Sequence, residues 1–194
     1  MSSGHRCLNI MDTQQKINWH KINLPWINRF WEDLNLHNLA RLNPHWYLPK
    51  KFETKSFEVE DAFLKKNLKI SLEQKFNPQD KIWQAKIEPL GLSLWAREAD
   101  AGNNTEIAYS FSEPEDENLS KWALYWLTSL REYYRLYTGK GINKTIWRFI
   151  MNKIWLPMNP TQRKISLFIF KFTFVEMVLI AAILIGYFVY IKNK

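Results

Sequence analysis

One uninterrupted apolar run limits what this chain can become. Residues 172–191 read FTFVEMVLIAAILIGYFVYI, twenty residues whose only charge is Glu176. Wound as an α-helix at about 1.5 Å per residue, such a run is roughly 30 Å long, the thickness of a bilayer's hydrocarbon core. It is apolar on all sides and has basic flanks, Lys171 before it and Lys192 and Lys194 after it. That pattern points to a membrane span rather than to the core helix of a soluble domain. A single transmembrane helix over residues 165–191 is therefore expected, with the rest of the chain held at a membrane. Glu176 falls about one helical turn inside the run, where it reaches head groups or takes up a proton, and Lys171 snorkels to the same interface.

What precedes the span suits one domain of ordinary size, since the chain has 194 residues. Its net charge of +8 is unevenly placed. Between residues 139 and 164 stand Lys140, Lys144, Arg148, Lys153, Arg163 and Lys164 with no acidic residue, whereas residues 98–117 are acidic. A basic collar beside a span implies contact with anionic head groups, at about 1 kcal/mol per charge near the surface. Because the charge lies next to the anchor and not on a separate basic domain, nucleic acid is not an expected partner. Cys7 is the only cysteine, so no internal disulfide forms. Residues 1–18 are polar and carry no signal-like apolar stretch. With the collar on the domain side, the positive-inside rule places the domain in the cytosol, although Lys192 and Lys194 weaken that argument.

The domain itself is mixed in period. Residues 1–15 are polar and aperiodic, and are expected to be disordered. Residues 16–24 suit a strand, and Pro25 leads into a helix over 26–34 whose Ile27, Phe30, Trp31 and Leu34 share one face. A second short helix over 36–42 stops at Asn43-Pro44, and residues 47–49 form a turn or extended piece. From 52 to 111 the period becomes two: Leu68, Ile70 and Leu72, then Trp83, Ala85 and Ile87, then 92–97, then Ile107, Tyr109 and Phe111, with turn residues between. Short strands at regular spacing imply an antiparallel meander. A long helix over 118–137 carries Leu119, Trp122, Trp126, Leu130, Tyr133 and Tyr137 at three- and four-residue steps, and it is the natural cover for the sheet's apolar face. Residues 142–155 read either as a helix lying in the bilayer interface, with Trp147 and Trp155 at that depth, or as a helix packed on the domain. Pro157 and Pro160 are expected to break the chain before the span.

The order of strand, two short helices, antiparallel strands and one long helix resembles the START-like superfamily, also known as SRPBCC or polyketide-cyclase/dehydrase-like. The local likeness lies in the strand of residues 17–24 running into Pro25 and Trp26, in the second helix ending at Pro44, and in Trp126, Leu130, Arg131, Tyr133 and Tyr134 of the last helix. It covers residues 16–139; a typical member ends where residues 140–164, the basic juxtamembrane segment, begin. The resemblance implies an α+β, helix-grip, START-like antiparallel sheet covered by a long C-terminal helix, to which this chain adds one transmembrane helix. It also implies a deep pocket for an apolar ligand, such as a lipid or isoprenoid-like compound. Trp83, Trp95, Tyr109, Phe111, Trp122 and Trp126 are the candidate lining, or else they fill the core.

The sequence offers no sign of chemistry. His5, His20, His37 and His45 have no metal-ligand spacing, and no nucleophile elbow, Walker loop or dinucleotide fingerprint occurs. His45 sits either at a pocket mouth or at the surface. Glu58, Glu60 and Asp61 read as a solvated strand edge rather than as acid–base catalysts. No cofactor and no metal are expected. The expected function is a membrane-anchored binding protein for an apolar ligand, presented or transferred at the bilayer. The alternative is a membrane-tethered interaction module without a ligand cavity.

Overall fold

Turn chemistry sets the sheet. The β-strands of the middle of the chain are joined at residues whose backbone enters the left-handed region: Lys65, Lys81, Gly91 and the Asp100–Gly102 turn all have positive φ. Gly91 has a second reason to be glycine, because a Cβ there would stand 2.0 Å from the Ser112 hydroxyl. In the computed structural model these turns link β3 (Ser56–Asp61), β4 (Lys66–Asn77), β5 (Ile82–Glu88), β6 (Leu92–Ala99) and β7 (Asn104–Phe111). The structure describes residues 17, 19–49, 55–112, 116–139 and 141–192. The expectations for residues 1–15 (His5 and Cys7 among them), for Lys140 and for Lys194 lie outside the described residues.

Two further strands complete the sheet, β1 (His20–Ile22) and β2 (Trp46–Tyr47), the latter in the stretch where a turn or extended piece is expected. The seven strands run in the order β1-β7-β6-β5-β4-β3-β2, each antiparallel to its neighbour. The sheet curls into a half-barrel. Alternation decides its faces: Phe57 and Val59, Ile70 and Leu72, Trp83, Ala85 and Ile87, Leu92, Leu94 and Ala96 are all buried on the inner side.

Helices α1 (Asn28–Asp33), α2 (Leu36–Leu42) and α3 (Glu117–Thr138) close that side. Their buried residues, among them Trp31, Leu39, Trp122, Trp126, Leu130 and Tyr134, form one core with the sheet. Fully burying each such large side chain stabilises the fold by about 1.5–3 kcal/mol. Polar ties fix the elements in place. Trp126 donates its indole N–H to the Leu39 carbonyl at 3.0 Å, joining α3 to α2. The Tyr134 hydroxyl meets the Pro25 carbonyl at 2.5 Å and accepts from the Ile27 amide, joining α3 to the start of α1.

After α3 come α4 (Ile142–Ile150), a π-helical turn at Met151–Trp155 and α5 (Pro160–Lys192). Here the structure differs from the expected break at Pro160: that proline is the first residue of α5, a position where its missing N–H costs nothing. Asn159 and Gln162 cap the helix reciprocally, each side chain accepting the other's backbone N–H at 2.8–2.9 Å. At 33 residues α5 is about 50 Å long, so its first turns extend beyond an apolar segment of membrane thickness.

Candidate functional site

Inside the half-barrel the aromatic residues pack on one another. Trp122 and Trp126 have ring centroids 5.6 Å apart, and Trp46 lies against both. Trp83 packs on Trp31 at 5.2 Å, and Trp31 in turn on Tyr134. Of the predicted lining, Trp83, Trp122 and Trp126 are fully buried, Phe111 is nearly so, and half-buried Tyr109 lies beside it on the inner face. The structure therefore brings five of the six residues to one face of the sheet or to the helix covering it, and packs them as core.

Trp95 is on the opposite face. In β6 the buried residues are Leu92, Leu94 and Ala96, so Trp95 shares its side with Ser93 and Arg97. Its indole N–H donates to the Ser110 hydroxyl at 3.1 Å, in an outer-face groove of about 610 Å³ that Gln84 and Lys86 also line.

The interior is anchored on a carboxylate expected to be solvated. Glu58 and Glu60 are exposed as expected, but Asp61 is 0 % exposed. It follows Phe57 and Val59 in the alternation of β3 and so points inward. Four donors meet it: the indole N–H groups of Trp46 at 2.9 Å and Trp122 at 2.6 Å, and the backbone amides of Phe63 and Leu64 at 2.8 Å. Hydrogen bonds to a charged acceptor contribute about 1.5–3 kcal/mol each. Asp61 thereby locks α3 and the β3–β4 turn onto β2. A carboxylate with its lone pairs filled in this way is a structural keystone of the interior.

The second region of interest is the exit from the domain. On α4 the apolar side chains point outward: Ile146, Trp147 and Phe149 are 53 %, 48 % and 62 % exposed. Along α5 every apolar side chain from Ile165 to Ile191 is exposed, and this helix is long and apolar enough to cross a membrane. The basic collar divides into two kinds of residue. Lys153 and Lys164 are exposed. Arg148 is turned back onto the domain, donating to the Leu136 carbonyl at 2.9 Å and to the Gly139 carbonyl, so it caps the end of α3. The aliphatic stem of Lys144 lies over Gly139. Arg163 donates to the carbonyls of Trp155, Leu156 and Arg41. The juxtamembrane segment also packs on the domain through Leu156, which belongs to the core, and through a Tyr133–Asn152 hydrogen bond. Of the two readings of residues 142–155, the structure leaves α4 with its apolar face open and packs the segment after it.

No group of His, Cys, Asp and Glu among the described residues is arranged to hold a metal. No model of a known protein family matches this chain, and no curated protein sequence matches it. The class therefore rests on architecture: an α+β protein in which a curled antiparallel half-barrel and a long helix form a helix-grip-like fold, followed by an apolar helix of membrane-spanning length.

Proposed function

We propose that this protein is a membrane-tethered module of the START-like kind, with its domain held at a bilayer by α5 and laid against the surface by α4. The observation that carries this reading is the outward-facing apolar surface of α4 and α5, which no other part of the described chain covers. The collar and the positive-inside rule favour the cytosolic side for the domain. Lipids of the bilayer are then its standing partners. The mutual packing of Trp31, Trp83, Trp122 and Trp126 favours a role as an interaction module, because a filled core presents its outer surface rather than an internal void.

One observation favours a second reading, the binding of an apolar ligand inside the grip. The Trp83 indole N–H and the Gln74 side-chain oxygen are buried without a hydrogen-bond partner. Both lie on the inner face, as diagonal neighbours across β4 and β5. A few unpartnered polar atoms in an apolar interior are what orients a ligand that parts the rings.

Native mass spectrometry of the full chain in mild detergent, with parallel lipid extraction, decides between the two. The module reading expects no apolar molecule in stoichiometric amount on the wild-type chain. An apolar molecule retained one per chain, and released by Trp83→Ala and Gln74→Leu, would replace it with the ligand reading. Stripping of the wild-type chain from membranes by alkaline carbonate would sink both.

A further inference from the structure

Where the domain meets α5 there is a cavity of about 410 Å³, within the roughly 300–1,000 Å³ range of ligand pockets. It is walled by Arg41 of α2, His45, Thr128 and Glu132 of α3, and Arg163 and Lys164 of α5. Two guanidinium groups converge there. Arg41 Nη1 and Arg163 Nη2 each donate to the Leu156 carbonyl oxygen at 3.3 Å. Arg163 also donates to the carbonyls of Trp155 at 3.2 Å and Arg41 at 2.8 Å. All its acceptors are neutral carbonyls, and among the described residues no carboxylate pairs with it. The acid in the wall, Glu132, is engaged with Arg131 and Arg135.

Arg163 thus holds positive charge in a sheltered place, beside a second cation and with no carboxylate among the described residues paired to it. Burial, and then the charge of Arg41, pull the Arg163 pKa down to about 10, which is the signature of a cation short of negative company. Burial likewise lowers His45, with Lys164 acting in the same direction and Asp61 opposing. Arg163 Nε and Nη2 are taken by carbonyls, and among the described residues its Nη1 is left to meet a phosphate oxygen in a charge-assisted bond. Arg163 and Lys164 stand immediately before Ile165, where the apolar surface of α5 begins, and Leu167 on the first apolar turn also lines the cavity. In a membrane-spanning α5 this is the depth of lipid phosphates.

We propose that this cavity is a site for the phosphate-bearing head group of one anionic lipid, held by Arg41, Arg163 and Lys164. The proposal rests on the reading of α5 as a membrane span. It differs from general attraction to an anionic surface in being a single site built jointly by the domain and the anchor. An occupant would link the domain to the span and fix its pose on the bilayer.

The test uses the full chain in detergent, titrated with phosphatidylglycerol, phosphatidylcholine or inorganic phosphate and read by native mass spectrometry and thermal shift. The expected result is one phosphatidylglycerol per chain, preferred over phosphatidylcholine by about tenfold or more. Arg163→Gln should abolish the preference. Because Arg163 also holds carbonyls, a second variant is needed: Thr128→Glu, at an exposed wall position, offers Arg163 a carboxylate and should abolish it without touching its present bonds. Lys153→Gln removes one exposed charge outside the cavity and should leave the preference intact. Equal loss in Lys153→Gln, or full retention in Thr128→Glu, would overturn the site in favour of diffuse charge. Inorganic phosphate producing the same shift as the lipid at equal concentration would overturn the lipid as occupant. Extraction of the chain by alkaline carbonate would instead remove the span, a failure distinguishable from failure of the site.

Discussion

Trp126 and Trp147 are the same residue in two opposite settings. Trp126 is 0 % exposed, between Trp46 and Trp122, with its N–H on the Leu39 carbonyl. Trp147 is 48 % exposed on α4. In the half-barrel the large apolar groups are covered by protein, and the Trp46, Trp122 and Trp126 indoles each find an acceptor. On α4 and α5 most apolar side chains are about half or more exposed. Burying a large apolar side chain is worth about 1.5–3 kcal/mol, so the second region is in its lowest free energy only where another apolar medium meets it. The contrast divides the molecule into a part that folds against itself and a part whose apolar surface the described chain leaves open.

The largest break expected is in the second part. Leu179→Arg together with Ile183→Arg puts two charges near the middle of the apolar segment, each costing about 2.5–3.5 kcal/mol to insert. The pair should shift the protein from the carbonate-resistant membrane fraction to the soluble or aggregated one. In the first part, Trp126→Ala should cost about 3–5 kcal/mol of stability, since a large cavity remains among rigid neighbours. Urea denaturation of the detergent-solubilised chain reads this directly. Asp61→Ala should cost at least about 3 kcal/mol by the same measurement, because it leaves two indole and two backbone donors without an acceptor. Asp61→Asn, which keeps an acceptor oxygen, should fall between it and the wild type.

Trp147→Ala sharpens the comparison from the other side, with a change in stability within about 0.5 kcal/mol. A spin label at Phe149→Cys, in a Cys7→Ser background, should be reached by oxygen and not by a water-soluble nickel chelate once the chain is in vesicles. Access by the chelate would mean that α4 stands off the bilayer. The smallest effect concerns pH. Burial lowers the pKa of both His37 and His45 below the ordinary histidine value, with Arg41 adding to the effect at His37. The unfolded chain therefore takes up protons first, near pH 6.5. Stability should be constant above that value and fall as pH drops through it towards the folded pKa values. His45→Gln should flatten the slope, and a wild-type stability that rises on acidification would contradict the assignment.

Much of the fold is legible in local pattern. The strands follow from alternation and the turns from the Gly, Pro, Asn and Asp residues between them. The long helix follows from its apolar residues at three- and four-residue steps. Two residues follow parity against their size or charge. Trp95 is large and aromatic, yet it shares parity with Ser93 and Arg97, which puts it outside. Asp61 is charged, yet it shares parity with Phe57 and Val59, which puts it inside. In both cases the alternation held the signal. What alternation does not contain is whether an inward carboxylate will find donors, because those come from Trp122, sixty-one positions away, and from a turn.

The character of α5 is settled by sequence alone, since a helix satisfies its own backbone and its side chains are apolar whatever they meet. So are the strand periods and turn positions, which depend on neighbours one to four residues apart. Tertiary structure alone decided that Trp31 packs on Trp83 and Trp122 on Trp126, that Arg148 closes α3, and that Arg41 and Arg163 meet on one carbonyl. Those outcomes depend on distances between groups up to 122 positions apart in the chain, and such distances exist only once the sheet has curled and the helices have closed over it.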